Sequence, residues 1–259
     1  MVSFSDTLFI ILIHLFISEA ERRYHHHDFF GVRDLLTVRQ LFDARCHFGH
    51  KTGSQNIYMR PHIFGNRLGI DLLDLDQTHL LLGDALNFVA HVAFNGGLAL
   101  FVNRNKETIP LVERVAQSIG EYSHCRDFKV GTFTNCVQTY HMENVRLPDV
   151  VIFITTHNNV FGQSVAVKEA ALMDIPTVGI VDSNCDPRLI DYPIPGNDDS
   201  RVSIELYLAL FKHAILTGRS AFQTLKQREL GVEKLRQPEP QRKLPAKDRP
   251  RQQKQALKS

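Results

Sequence analysis

Val150-Val151-Ile152-Phe153-Ile154 is an unbroken apolar run rich in β-branched residues. It is too short for a buried helix and too uniformly apolar for a strand with one wet face. It reads as a strand covered on both sides. Two runs of the same kind flank it in sequence: Leu98 to Val102, and Thr177 to Val181, the latter introduced by Pro176. Helical spacing fills the intervals, with Val112, Val115, Ala116 and Ile119 in one and Val165 to Met173 in another. Upstream, Leu82, Leu86, Val89 and Ala93 mark the buried face of a helix capped by Asp76, and Gly96-Gly97 reads as its stop. Phe128-Lys129-Val130 reads as one more short strand, and Tyr192 to Ile194 as a last edge strand, where proline is tolerated. Buried strands alternating with helices imply a parallel sheet with helices on both faces. The fold class is therefore α/β: a three-layer, Rossmann-like or flavodoxin-like domain over residues 60–218.

Working outward, residues 28–59 form an N-terminal helical arm and loop. Leu35, Leu36, Val38, Leu41 and Phe42 recur at helical spacing, with Thr37 as a cap. Cys46 to Gly53 is a glycine-punctuated loop, and Pro61 to Asp74 reads as two short strands around a Gly65-Asn66 turn. At the other end, Ile190-Asp191-Tyr192-Pro193-Ile194-Pro195-Gly196-Asn197-Asp198-Asp199-Ser200 is a rigid elbow. It leads into a helix with Ile204, Leu208, Phe211 and Ile215 on one stripe. Beyond Gly218 the composition shifts to Gln, Lys, Arg and Pro, so 219–259 reads as a basic, largely disordered tail, with Leu225 to Leu235 briefly extending the helix.

Charge is unevenly placed. The tail holds 12 Lys+Arg against 4 Asp+Glu, which leaves 18 basic and 24 acidic residues before it, although the 259-residue chain carries a net +2. An acidic body does not suit a protein that coats itself in nucleic acid. RNA contact would have to run through local basic loops and the tail. The first 27 residues are an unexplained leader. Leu8 to Ile17 resembles a signal-peptide core, but Met1 to Thr7 contains Asp6 and no Lys or Arg. Ten apolar residues fall short of the roughly 20 that cross a bilayer, so no membrane span is expected. Cys46, Cys125, Cys136 and Cys185 include no C-x-x-C pair and read as reduced, mostly buried thiols.

The chemistry of sites is sparse. No G-x-G-x-x-G follows a strand and no G-x-x-x-x-G-K-[ST] occurs, so no cofactor, nucleotide or other small-molecule substrate is expected. His47 and His50 beside Cys46 have the chemistry of metal ligands, but no second ligand pair stands at a zinc-finger distance; they read as loop histidines bonded to backbone or phosphate. Asp191, Asp198 and Asp199 read as capping carboxylates before a magnesium site or an acid–base pair. Asp182, Asn184 and Asp186, next to Pro187, read as a turn. No nucleophile–base pair stands out, so no catalytic residue or metal ligand is assigned. Five cations in loops with small polar or aromatic neighbours are the RNA-binding candidates: Lys51, Arg60, Arg67, Arg104 and Lys106.

Several strings taken together resemble the small-subunit ribosomal protein S-two family. They are Phe48-Gly49-His50, Ile63-Phe64-Gly65-Asn66-Arg67, Gly131-Thr132-Phe133-Thr134-Asn135, Arg146-Leu147-Pro148-Asp149, Ile175-Pro176-Thr177-Val178 and the elbow. They occur in the family's order over roughly residues 28–219. Val181-Asp182-Ser183-Asn184-Cys185-Asp186-Pro187 and Gly196 to Ser200 follow the bacterial type; Thr155 to Phe161 and Asp28-Phe29-Phe30 look mitochondrial. The resemblance implies a Rossmann-like fold and a non-enzymatic, structural role in the mitochondrial small ribosomal subunit, in the matrix. Its implied partners are small-subunit rRNA and neighbouring ribosomal proteins. Bacterial members insert a long helical hairpin between the positions of Asn135 and Arg146; ten residues stand there here, too few for a coiled coil. The rivals are a nucleotide-dependent enzyme on the same sheet and a secreted adhesion module prompted by the leader.

Overall fold

The computed structural model describes residues 28–141, 145–159 and 162–236. The leader expected over 1–27, the stretch 237–259, and Val160-Phe161 lie outside the described residues.

The chain enters through a short 3-10 turn, Arg33–Leu35, and helix α1, Val38–Asp43. Thr37 caps α1 in a reciprocal capping box with Gln40, which is the arm helix that the sequence indicates. The glycine-punctuated stretch that follows is not only a loop: Phe48–Lys51 is strand β1. It pairs antiparallel with β3, Ile70–Leu73, which also pairs with β2, Ile63–Arg67. The β2–β3 turn is Leu68-Gly69, not Gly65-Asn66. Both turn residues have positive φ, 54° and 77°, as a tight primed hairpin turn requires. Gly65 instead lies where the ladder shifts register, between Ile63 and Gly65. Helix α2, Leu75–Phe94, begins at Asp74, whose carboxylate accepts from the Asp76 amide; Asp76 itself sits in the first turn.

The main sheet then assembles from β4 (Ala99–Val102), helix α3 (Ile109–Ile119), β5 (Tyr122–His124), short helix α4 (Cys136–Tyr140) and β6 (Val150–Phe153). A two-stranded ribbon, β7 (His157–Asn159) with β8 (Gly162–Gln163), precedes helix α5, Val165–Leu172. Strands β9 (Thr177–Val181) and β10 (Tyr192–Pro195) complete the sheet before helix α6, Arg201–Arg236. Five parallel strands lie in the order β10-β9-β6-β4-β5. The fifth strand is Tyr122–His124, not Phe128-Lys129-Val130. As an edge strand it needs less apolar character, which hid it.

Alternation along each strand feeds two cores. Ala99, Phe101, Val150, Ile152, Val178 and Ile180 face α2, α3 and α6, while Val102, Val151, Phe153 and Val181 face α5. The result is the three-layer sandwich that the apolar runs require. The segment 219–236, expected to open a largely disordered tail, is helical. No helix among the described residues is long and apolar enough to cross a membrane. All four cysteines are free, and Cys46, Cys125 and Cys185 are buried.

Candidate functional site

Because β4 leads to β5 on one side and β6 lies on the other, the winding of the sheet reverses between β4 and β6. Ligands of doubly wound folds settle beyond the strand tips at such a point. Here a polar crevice of about 590 Å³ opens there, lined by His50, Arg104, Asn105, Thr155, His157 and Asn184 among others. Its loop after β4 is locked by its own side chains. Asn103 Oδ1 accepts from the Asn105 amide, Asn105 Oδ1 from the Glu107 amide, and Thr155 Oγ1 from the Arg104 amide. The Arg104, Asn105 and Glu107 amides are thus already engaged and are not free to cradle a pyrophosphate.

The elbow after β10 closes the crevice on its far side. Asn197 Oδ1 accepts from the Asp199 and Ser200 amides, while its Nδ2 donates to the Arg45 carbonyl. The Asn197 amide donates to the Cys46 carbonyl, so the elbow is tied to the strand-β1 region. Gly196 is needed because a Cβ there would overlap the buried Tyr207 hydroxyl. Gly49 has a similar reason: its Cβ would press on Ser183, whose Oγ accepts from the His50 amide at 2.8 Å.

These ties bring four distant residues together. His50 Nδ1 lies 3.0 Å from Asp182 and Nε2 3.3 Å from Asp199, while Asp198 is buried beside them. The hydrogen bond to Asp182 lifts the imidazole to about 9 against the opposing effect of burial, and the Asp182, Asp199 and Asp198 charges add to the rise. Burial, then the neighbouring Asp182 and Asp199 carboxylates, push Asp198 well above the usual carboxylate range. His50, Asp182 and Asp198 each offer a ligand atom within 4.8 Å of the others. They are the described residues with geometry to hold a divalent cation, which would displace protons from the cluster. The sequence treated His50 as a loop residue and the aspartates as separate caps and turns. Those roles are local; the cluster is long-range.

The folded-state pKa of His50 stands above its unfolded value, so its contribution is complete below about pH 6.5 and is lost as pH rises through about 9. The ring is 27% exposed, so the shift is discounted for solvent screening to roughly 1–2 kcal/mol. Urea unfolding in EDTA should show wild type losing that much more stability than His50→Gln between about pH 6 and about pH 9.5. Parallel pH profiles for the two proteins would disprove it.

The five basic candidates divide into two groups. Lys51 and Arg67 both face Ile70 across the small sheet, on one rung and one face, and Arg60 lies in the 3-10 segment Ile57–His62 just before β2. All three are exposed and make no ion pair among the described residues. Arg104 and Lys106 stand at the crevice end of the main sheet, where Arg104 pairs with Asp127 at 3.3 Å. One organising residue was missed altogether. Glu169, buried on α5, accepts from the Gly131, Phe133 and Thr134 amides and so shapes the Gly131–Asn135 string. Its sequence signal was its place on the apolar face of α5, between Val167 and Ala170.

The family model described as Ribosomal protein S2 matches residues 41–144 and 138–218. A bovine (Bos taurus) protein, small ribosomal subunit protein uS2m, is 54% identical over 190 residues, covering 73% of this chain and 64% of its own length. The chain thus spans just under two thirds of that relative. Small ribosomal subunit protein uS2 of Rhizobium rhizogenes is 33% identical over 238 residues, covering 76% of this chain and 91% of the relative. The same-named protein of Sinorhizobium medicae is 31% identical over 238 residues, covering 76% and 92%. The bacterial alignments run over 238 positions but take up only about 197 residues of this chain, so they contain positions that it lacks. The family match likewise falls in two segments, which overlap at 138–144 within the short connection between Asn135 and Arg146. Matched from α1 through most of the body, with the elbow and sheet described above, the chain belongs to the ribosomal protein S2 family.

Proposed function

We propose that this chain is a non-catalytic structural constituent of the mitochondrial small ribosomal subunit, located in the matrix. It binds small-subunit rRNA and adjoining ribosomal proteins in support of mitochondrial translation. The observation that carries this reading is the 54% identity to the bovine mitochondrial protein across 190 residues. The bovine alignment occupies 73% of the chain, about 189 residues, so it needs almost no inserted positions. The arm (28–59) and body (60–218) dock as a preformed shape, and the basic 219–259 stretch adds phosphate contacts.

Lys51, Arg60 and Arg67 form the first phosphate-contacting group and Arg104 with Lys106 the second. Such contacts position without reading sequence and weaken with salt. Sedimentation of the tagged protein with small-subunit RNA from purified mitochondria tests the assignment, since material absent from the particle would refute it. For the residues, Lys51→Ala with Arg67→Ala should weaken binding of the isolated protein to small-subunit RNA by about tenfold or more. It should also reduce the slope of log affinity against log salt by about 1.5. An unchanged slope would remove this pair from the interface.

A further inference from the structure

The missing hairpin leaves a surface behind. Beside edge strand β5 a groove of about 570 Å³ runs along Tyr122, Ser123 and His124, walled by Leu100, Phe128, Phe133 and Leu147. Tyr140, Val145 and Arg146, from the two described sides of the shortened connection, line it as well. Tyr122 is 61% exposed, although it lies beside a mainly apolar wall. The buried Nε2 of His124 has no partner among the described residues, and the ring lines the groove.

The backbone is also open. The Asn103 amide donates to the His124 carbonyl across the β4–β5 pair. In a parallel ladder a residue's N–H and C=O point to the same neighbour and alternate along the strand. The Ser123 amide and carbonyl therefore face outward, where no strand follows among the described residues. An uncovered edge is a template for another chain. The charges around it have one sign to offer. Arg126 and Lys129, which bracket Phe128, are exposed and make no ion pair among the described residues. Asp127 and Asp149 are already engaged with Arg104 and Arg146.

From these features we infer that β5 accepts an extended segment of a neighbouring protein as a sixth strand. Its apolar side chains occupy the groove at alternate positions, and acidic residues beside them meet Arg126 and Lys129. RNA could use the cations and aromatic rings, but it has no use for an outward-facing peptide edge. Strand addition uses all three features. The inference rests on the ribosomal reading above.

The test places the photo-crosslinker benzoylphenylalanine at Tyr122, or at exposed Leu80 on α2 as a control, in full-length protein assembled into mitochondrial small subunits. The expected result is a crosslink from position 122 to one protein stretch with apolar residues at alternate positions and Asp or Glu beside them, absent from position 80. Ser123→Pro should cut its yield about tenfold while Ser123→Ala leaves it intact, because proline removes the amide. Arg126→Glu with Lys129→Glu, which leaves the backbone alone, should cut it several-fold. A crosslink to RNA, a crosslink to a helical stretch, or none in subunits that contain the protein would overturn strand addition alone. Failure of the wild-type chain to sediment with small-subunit RNA would overturn the ribosomal reading and this inference with it.

Discussion

Glu169→Ala is expected to destabilise the body by about 3–5 kcal/mol, the cost typical of removing one member of a buried, charge-assisted set. Glu169 is only 4% exposed and its carboxylate accepts from three backbone amides of one loop, with the Phe133 amide at 2.9 Å. Alanine would leave the Gly131 and Phe133 donors buried without the acceptor that they have in the native protein. Melting temperature should fall by roughly 10 °C. Hydrogen exchange should show the loss first at residues 131–135. Glu169→Gln keeps one acceptor oxygen but turns an N–H group toward the amides, so it should fall between. If exchange at 131–135 stays protected in the alanine variant, the carboxylate does not organise this loop.

The second large effect is expected at Gly218, where α6 crosses α2. A Cβ at this position would overlap the Ala90 carbonyl oxygen and crowd Ala93. The backbones touch because Ala90, Ala93 and Gly218 have little or no side chain. Glycine normally weakens a helix interior by roughly 1 kcal/mol relative to alanine. Gly218→Ala gains that much, but its Cβ would lie against a backbone oxygen that no side-chain rotation can move, so overpacking near the top of the range of about 1–3 kcal/mol outweighs the gain. Gly218→Val has a smaller offset, because valine is a poorer helix former than alanine, and its branch widens the clash. It should cost about 3 kcal/mol or more by forcing α6 away from α2. Urea titrations that put valine on a par with alanine would mean that the helices separate freely.

Much of this architecture was legible because buried strands leave an unmistakable apolar record. Thr177 to Val181 was read with the observed limits, and Val150 to Ile154 to within one residue. The misreadings share a cause. The hairpin turn was assigned to Gly65-Asn66 by residue preference, whereas the ladder shift lets the strand run on to Arg67 and places Leu68 at positive φ. β5 was overlooked because Tyr122, Ser123 and His124 lack apolar alternation, and an edge strand has only one neighbour to demand it. The five candidate cations stand out one by one in the sequence, but the rung that unites Lys51 and Arg67 does not. The His50 cluster was hidden for a different reason. Asp182, Asp198 and Asp199 each had a sufficient local explanation, and only the meeting of β1 with the strand tips gives them a common partner.

The two borders of the five-stranded sheet are not alike. On β10 the Gly196 amide donates inward to Val181, so by alternation Pro193 and Pro195 occupy the outward positions, where proline has no hydrogen to give. Among the described residues, only the β5 border can offer a companion a backbone donor as well as an acceptor. Surplus protein awaiting assembly could therefore join in twos along this sheet, β5 against β5, and would then present proline-sealed rims on both sides. Fibrillar growth through the main sheet ends at the dimer.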